Sequence, residues 1–148
     1  MLPMLQRLIE IHDRTVNLKL RYFKRYLYDE INCSPNALCI YGARGTGKTT
    51  LMIQHYYEQY ASVEKALYIT ADQVHALSHG LYEVADAYFK TGGQALYIDE
   101  IHKYPDWSVE LKNILKVYSD KQIIISRSLR LISEKAKETC PVESYIMS

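Results

Sequence analysis

Cysteine is scarce, charge is balanced and apolar runs are short, and each shortage removes a class of protein. The three cysteines, Cys33, Cys39 and Cys140, are odd in number and form no C-x-x-C, so neither a disulfide framework nor a zinc site is indicated. Cys39 reads as a small buried hydrophobe. A net charge of +1 gives no global electrostatic case for nucleic acid or an anionic membrane. No apolar run approaches the ~20 residues that span a bilayer. The first residues carry Arg7, Glu10 and His12 among their apolar neighbours, which is no secretory leader. A cytoplasmic protein with no membrane association is therefore expected. His12, His55, His75 and His79 show no metal-ligand grouping; His75 and His79, four apart, would share a helical face but lack a third ligand. Internal repeats and low-complexity segments are absent as well.

Hydrophobic residues at 48% and charged residues at 24% suit an ordinary globular chain, and 148 residues are enough for one domain with a real core. Tyrosine supplies 14 of its residues against two Phe and one Trp. Several tyrosines, Tyr97 and Tyr118 among them, fall where core is expected, so their hydroxyls must reach a partner or the surface.

The strongest signal is Gly42-Ala43-Arg44-Gly45-Thr46-Gly47-Lys48-Thr49, which fits G-x-x-x-x-G-K-[ST] at every position. The apolar run Ala37–Tyr41 precedes it, and Thr50 opens a helix-like stretch after it. That strand, loop and helix context is what a phosphate-binding loop requires. Glycines let the backbone turn several N–H groups onto one anion at the positive end of a helix. Lys48 is expected to reach the β- and γ-phosphates, the Thr49 hydroxyl to ligate Mg²⁺, and residues 42–50 together to hold the nucleotide. The loop predicts a nucleoside triphosphate ligand.

Apolar spacing predicts helix over about residues 2–31, with Leu5, Ile9, His12 and Val16 on one stripe and Leu20, Phe23, Leu27 and Ile31 on a second. Arg7, Arg14, Lys19, Arg21, Lys24 and Arg25 give its other side a basic character, which suits a solvated face or a surface for nucleic acid or a partner. Cys33-Ser34-Pro35-Asn36 reads as a turn. Residues 1–34 therefore form an N-terminal helical segment and 35–148 a core. Within the core, Ala66–Thr70, Ala95–Ile98 and Gln122–Ser126 read as further strands buried on both faces, as in a parallel sheet. Helical stripes separate them: Val74, Leu77, Leu81, Val84 and Tyr88, then Trp107, Leu111, Ile114 and Tyr118. Gly80 sits within the first stripe, which suits two short helices as well as one long one, and Gly92-Gly93 ends it. Strand alternating with helix makes the fold class α/β, three-layered.

The third strand ends in Asp99-Glu100. A carboxylate there can hold Mg²⁺ through water, and its neighbour can polarise a water for attack on the γ-phosphate. Ser126 and Ser128, at the end of the fourth strand, are candidates to see the same phosphate. His102 and Lys103, just past the acid pair, could also line the cleft, though they read more simply as surface.

Two runs, Arg25 to Thr50 and Leu96 to Leu111, resemble a prokaryotic branch of the AAA+ ATPases described as ATP-binding proteins. The phrase Asp99-Glu100-Ile101-His102-Lys103 followed by Trp107 is more specific than a bare acid pair, and the similarity extends over about residues 15 to 135. The resemblance implies a five-stranded parallel sheet of P-loop NTPase type in order 5-1-4-3-2, with ATP as nucleotide and Mg²⁺ as metal. It carries the phosphate-loop roles onto Gly42, Gly45, Gly47, Lys48 and Thr49, the acid-pair roles onto Asp99 and Glu100, and the strand-four sensor role onto Ser126. Catalytic duties thus fall on Glu100, Lys48 and Ser126, and metal binding on Thr49 and Asp99.

The chain also departs from that family. Where the family runs Thr-Gly-Ser-Ser, this sequence has Ser126-Arg127-Ser128-Leu129, an arginine at a position of usual close approach to the nucleotide. Where the family places arginines that face a neighbouring subunit, this chain reads Glu138-Thr139-Cys140-Pro141-Val142-Glu143. It stops at Ser148, as a fifth strand over 143–148 should be forming, so a helical lid is expected to be missing. Loss of such an arginine slows phosphoryl transfer about 10³- to 10⁵-fold in related NTPases. Three readings follow: an AAA+-type ATPase with weak turnover, a nucleotide-binding module that does not hydrolyse, and a small-molecule kinase. Relatives' longer C-terminal regions leave room for a homo-oligomer, a protein partner or, more weakly, DNA.

Overall fold

The computed structural model describes residues 3–18, 37–42, 47–76, 79–128 and 143–147. The expected second helical stripe, the Cys33–Asn36 turn, Leu77, Leu129, the stretch 138–142 and Ser148 lie outside the described residues. Five strands, β1 (Ala37–Gly42), β2 (Ala66–Thr70), β3 (Ala95–Asp99), β4 (Gln122–Ser128) and β5 (Glu143–Met147), form one sheet in the order β5-β1-β4-β3-β2. All pairings are parallel, with Gly42 opposite Ser128, Ile98 opposite Ile125 and Thr70 opposite Asp99. The expected order and the expected fifth strand are both present.

Parallel strands covered on both faces must be apolar at every position, and β3 is buried from end to end. Alternation sends successive side chains to opposite layers. Cys39, Tyr41, Leu67, Ile69, Leu96, Ile98, Ile123 and Ile125 face one layer. There they meet α3 (Ala71–Ala76), α4 (Leu81–Lys90) and α5 (Trp107–Val117) through Val74, Val84, Tyr88, Leu111 and Ile114. Leu38, Ile40, Tyr68, Tyr97 and Ile124 face the other, against Leu51, Met52, Ile53 and Tyr56 of α2 (Lys48–Gln59). The break at Gly80 is real: Gly80 is extended and precedes α4, whose first free N–H groups are taken by the Tyr104 hydroxyl (Leu81 N, 3.3 Å) and the Glu110 carboxylate (Tyr82 N, 3.0 Å).

The first helix, α1 (Pro3–Leu18), does something periodicity alone does not announce. Its Met4, Leu5 and Leu8 join the first layer's core and its Val16 joins the second's, so it crosses the outer edge of β2 from one face of the sheet to the other. At the crossing His12, fully buried, takes the Tyr68 backbone N–H on Nδ1 at 2.8 Å, while its Nε2 lies 3.2 Å from the Tyr56 hydroxyl. A helix thereby covers an edge strand that would otherwise present open N–H groups. On the solvent side, exposed Arg7 and Arg14 are interspersed with exposed Glu10 and Asp13, so the described part of that face is mixed in sign rather than basic. No helix among the described residues is long and apolar enough to cross a membrane.

Candidate nucleotide site

Strands β1, β3 and β4 all end on one side, and in open α/β sheets ligands bind outside the carboxyl ends of the strands. Gly42 closes β1 there. Gly47, with φ of 92°, adopts the left-handed backbone that glycine allows, and α2 begins immediately after it at Lys48. Ala43, Arg44, Gly45 and Thr46 lie outside the described residues. Lys48 is 4% exposed, and its Nζ donates to the Gly42 carbonyl at 2.9 Å, so its amine reaches back to the end of β1. Thr50 continues the first turn of α2, half-buried. The first N–H groups and positive end of α2 point at this same place.

Asp99, 3% exposed, ends β3. Three hydroxyls from three different elements donate to its carboxylate. Thr49 Oγ1 of α2 reaches Oδ2 at 2.5 Å, the Tyr68 phenol of β2 reaches the same oxygen, and Ser126 Oγ of β4 reaches Oδ1. Ser126 also accepts the backbone N–H of Glu100 at 2.8 Å. Its one hydroxyl thus ties the two acidic residues together.

Glu100 has φ 55° and ψ 48°, a left-handed conformation uncommon for a residue with a side chain. The turn it makes lifts its carboxylate out of the strand line and into the cleft. There Ser128 Oγ donates to both carboxylate oxygens, at 2.9 and 3.1 Å. His102 Nε2 stands 3.3 Å from one of them and Lys48 Nζ 3.9 Å from the other. Burial holds the His102 imidazole below its usual pKa, with the cations of Arg127, Lys103 and Lys48 acting in the same direction and Glu100 against them.

Lys48, Thr49, Asp99, Glu100, Ser126 and Ser128 are therefore brought together, across up to 80 residues of sequence. Arg127 is not among them. Strand alternation turns its side chain away from Ser126 and Ser128, and its guanidinium packs 4.6 Å from the Trp107 ring and 5.3 Å from the Tyr41 ring, with a 3.0 Å hydrogen bond to the Tyr41 hydroxyl. An arginine at this position leaves the cleft open. Of the two placements open to His102 in the sequence, surface and cleft, the structure shows the less favoured one: it stands beside Glu100. Sequence reasoning gave Tyr68 no place in the site; the sole hint was that a tyrosine inside an apolar strand needs a partner for its hydroxyl. Among the described residues no group of three or more His, Cys, Asp or Glu could hold a metal by itself. A hydroxyl and a carboxylate 2.5 Å apart, Thr49 and Asp99, nevertheless suit an octahedral cation such as Mg²⁺, which keeps several of its waters and takes few protein ligands.

A model of the AAA domain family matches residues 34–146. An uncharacterized protein of Methanocaldococcus jannaschii is 30% identical over 109 residues, which cover 62% of this chain and 23% of that one. Among solved structures, AMPPCP-bound DnaA from Aquifex aeolicus superposes with a TM-score of 0.58 at 19% identity, covering 82% of this chain and 44% of its own. A replication initiator DnaA bound to AMPPCP and single-stranded DNA gives 0.54 at 21%, covering 76% and 40%. At these identities the likeness is one of fold. The chain spans less than half the length of each of these proteins.

Proposed function

Since the chain belongs to the AAA domain family, we propose that it binds ATP with Mg²⁺ at the carboxyl end of its sheet and hydrolyses it slowly. One observation carries this reading: the Lys48 amine, the Thr49 hydroxyl and the two adjacent carboxylates of Asp99 and Glu100 converge on the mouth of a helix N-terminus. The N–H groups at the start of α2, with Gly42 and Gly47 flanking the loop, cradle the phosphates. Lys48 leaves the Gly42 carbonyl for the β- and γ-phosphate oxygens. Thr49 and Asp99 hold the metal, which when bound neutralises charge building up on the phosphate oxygens. Glu100 accepts the proton of a water as that water adds to the γ-phosphorus and the bond to the β–γ bridging oxygen breaks, giving ADP and phosphate. Ser126 sets the spacing between Asp99 and Glu100.

Slow turnover follows from the state of Glu100. Its carboxylate already accepts from Ser128 and lies beside Lys48, and these contacts must be given up before it can take the proton of a water. The stretch 138–143 also supplies no arginine for the transition state. Residues 35–148 act in this reading as the nucleotide-binding core, with α1 of the 1–34 segment covering its edge. The mixed signs of Arg7, Glu10, Asp13 and Arg14 give a DNA role no support from α1. A homo-oligomer or protein partner is one source of a catalytic arginine for the cleft.

Calorimetric titration of the chain with ATP and Mg²⁺ tests binding: saturable heat is expected for the wild type and none for Lys48→Ala. Equal binding by both would overturn the site assignment. Phosphate release tests turnover. A slow rate that Glu100→Gln lowers by about 10²- to 10⁴-fold without loss of binding is the expected result. The second reading, a module that binds without hydrolysing, is favoured by the hold of Ser128 on Glu100. It predicts release no faster than buffer in both proteins.

A further inference from the structure

We propose that Tyr68 is a positioning residue for the metal-binding carboxylate of Asp99, and that His12 of α1 sets how far Tyr68 reaches. The proposal rests on the nucleotide reading above. Asp99 has its two oxygens tied by donors from three directions, and the Tyr68 phenol shares Oδ2 with Thr49. With Ser126 on the other oxygen, the carboxylate cannot turn about its own bond without breaking one of these contacts. Thr49 and Ser126 are short side chains anchored close by. Tyr68 acts from the adjacent strand, through a rigid ring with only two rotatable bonds, so a displacement of β2 reaches Asp99.

Those movements are limited from the outside. Tyr68 lies on the edge strand, where a backbone N–H ordinarily meets water. Here that N–H is donated to His12 Nδ1 at 2.8 Å, and His12 in turn is held at Nε2 by the Tyr56 hydroxyl at 3.2 Å. A continuous path therefore runs from α1 through His12 and the Tyr68 main chain and ring to Asp99. A phenol serving only to fill this core layer would have no reason to use its proton on the carboxylate that the cation needs. Tyr88, in the opposite layer, shows that ordinary arrangement, donating to the Val63 carbonyl at 2.7 Å.

Partners in the outer shell of a metal site commonly set affinity by about 10- to 100-fold. The experiment titrates MgCl₂ into the 148-residue chain with the non-hydrolysable analogue AMPPCP and follows nucleotide affinity by calorimetry, with EDTA as the metal-free reference. Tyr68→Phe keeps the ring and removes the donor. The expected result is a Mg²⁺ midpoint raised about 10- to 100-fold, with affinity in EDTA changed by less than about twofold. A purely structural role would weaken both together. His12→Leu, which withdraws the acceptor from the Tyr68 N–H, supplies a second route to the same shift should Tyr68→Phe not fold. Wild-type midpoints in the folded variants, or a drop in EDTA affinity as large as that in Mg²⁺, would overturn the proposal. A wild-type chain that takes up no AMPPCP at all would instead overturn the nucleotide reading beneath it.

Discussion

His55 is 1% exposed, with Nδ1 2.6 Å from the Tyr97 hydroxyl, and burial pushes its pKa from 6.5 down to about 4. The folded chain therefore binds this proton less readily than the unfolded chain does. The stability it contributes as a neutral ring is complete above pH 6.5 and is lost as pH falls through 6.5 toward 4. A shift of that size corresponds to roughly 3 kcal/mol. Burial also lowers the pKa of His12, so the two act in the same direction. Denaturant titrations between pH 7 and 4 are expected to show stability falling steeply, with a shallower slope in His55→Asn; parallel slopes would contradict this. Ser128 carries a second expectation at this scale. Ser128→Ala removes a contact that Glu100 must give up to reach a water, and one hydrogen bond of about 1 kcal/mol corresponds to roughly fivefold faster phosphate release. Unchanged or slower release would show that Ser128 assists Glu100 rather than restraining it.

Among the elements, the strands were the most legible, because a strand buried on both faces must be apolar throughout, and Ala37–Tyr41, Ala95–Ile98 and Gln122–Ser126 are nearly so. The α1 stripe was legible as a face: Leu5, His12 and Val16 are all buried. Its destination was not, because periodicity states which side is apolar and not which edge it covers. Lys48, Thr49, Asp99 and Glu100 could be read from local spacing, since each pair is adjacent in sequence. Tyr68 and His102 depend on contacts between segments far apart or on a turn's exact course, which spacing does not encode. The turn after α4 gives the element-scale test. A Cβ on Gly93 would stand 2.2 Å from the Tyr88 ring, which is 2% exposed and anchored by its hydroxyl to the Val63 carbonyl. Gly93→Ala is expected to cost about 1–3 kcal/mol in chemical denaturation as the ring is forced aside. Loss below ~0.5 kcal/mol would mean that the α4 to β3 turn yields instead.

Across the whole molecule, the chain lays β1 in the interior, runs out to the β2 edge and returns through β3 and β4 before adding β5 on the far side. That path puts β4 between the phosphate loop's strand and the acidic strand. Ser126 and Ser128 can then touch Asp99 and Glu100 while Gly42 lies directly opposite Ser128. A ligand bound there would clasp β1, β3, β4 and α2 at once, so binding should be felt as global stability. At free Mg²⁺–ATP a hundredfold above its Kd the linkage is about 2.7 kcal/mol. For a chain of this size that is a rise of roughly 5–10 °C in Tm. Thermal melts should show this rise in the wild type and not in Lys48→Ala; equal rises would place binding elsewhere.

The packing of Arg127 against Trp107 has an optical consequence. Trp107 is the chain's one indole, half-buried at the start of α5, four residues past the His102–Lys103 turn that follows Glu100. Its emission comes from a single location, while tyrosines of both layers, Tyr41, Tyr88, Tyr56 and Tyr97 among them, can pass excitation energy to it. A nucleotide that draws Glu100 from its resting contacts would tug the short segment leading to Trp107 and alter the polarity and quenching around its ring. The protein thus carries its own spectroscopic reporter, a few residues from the cleft, requiring no attached dye.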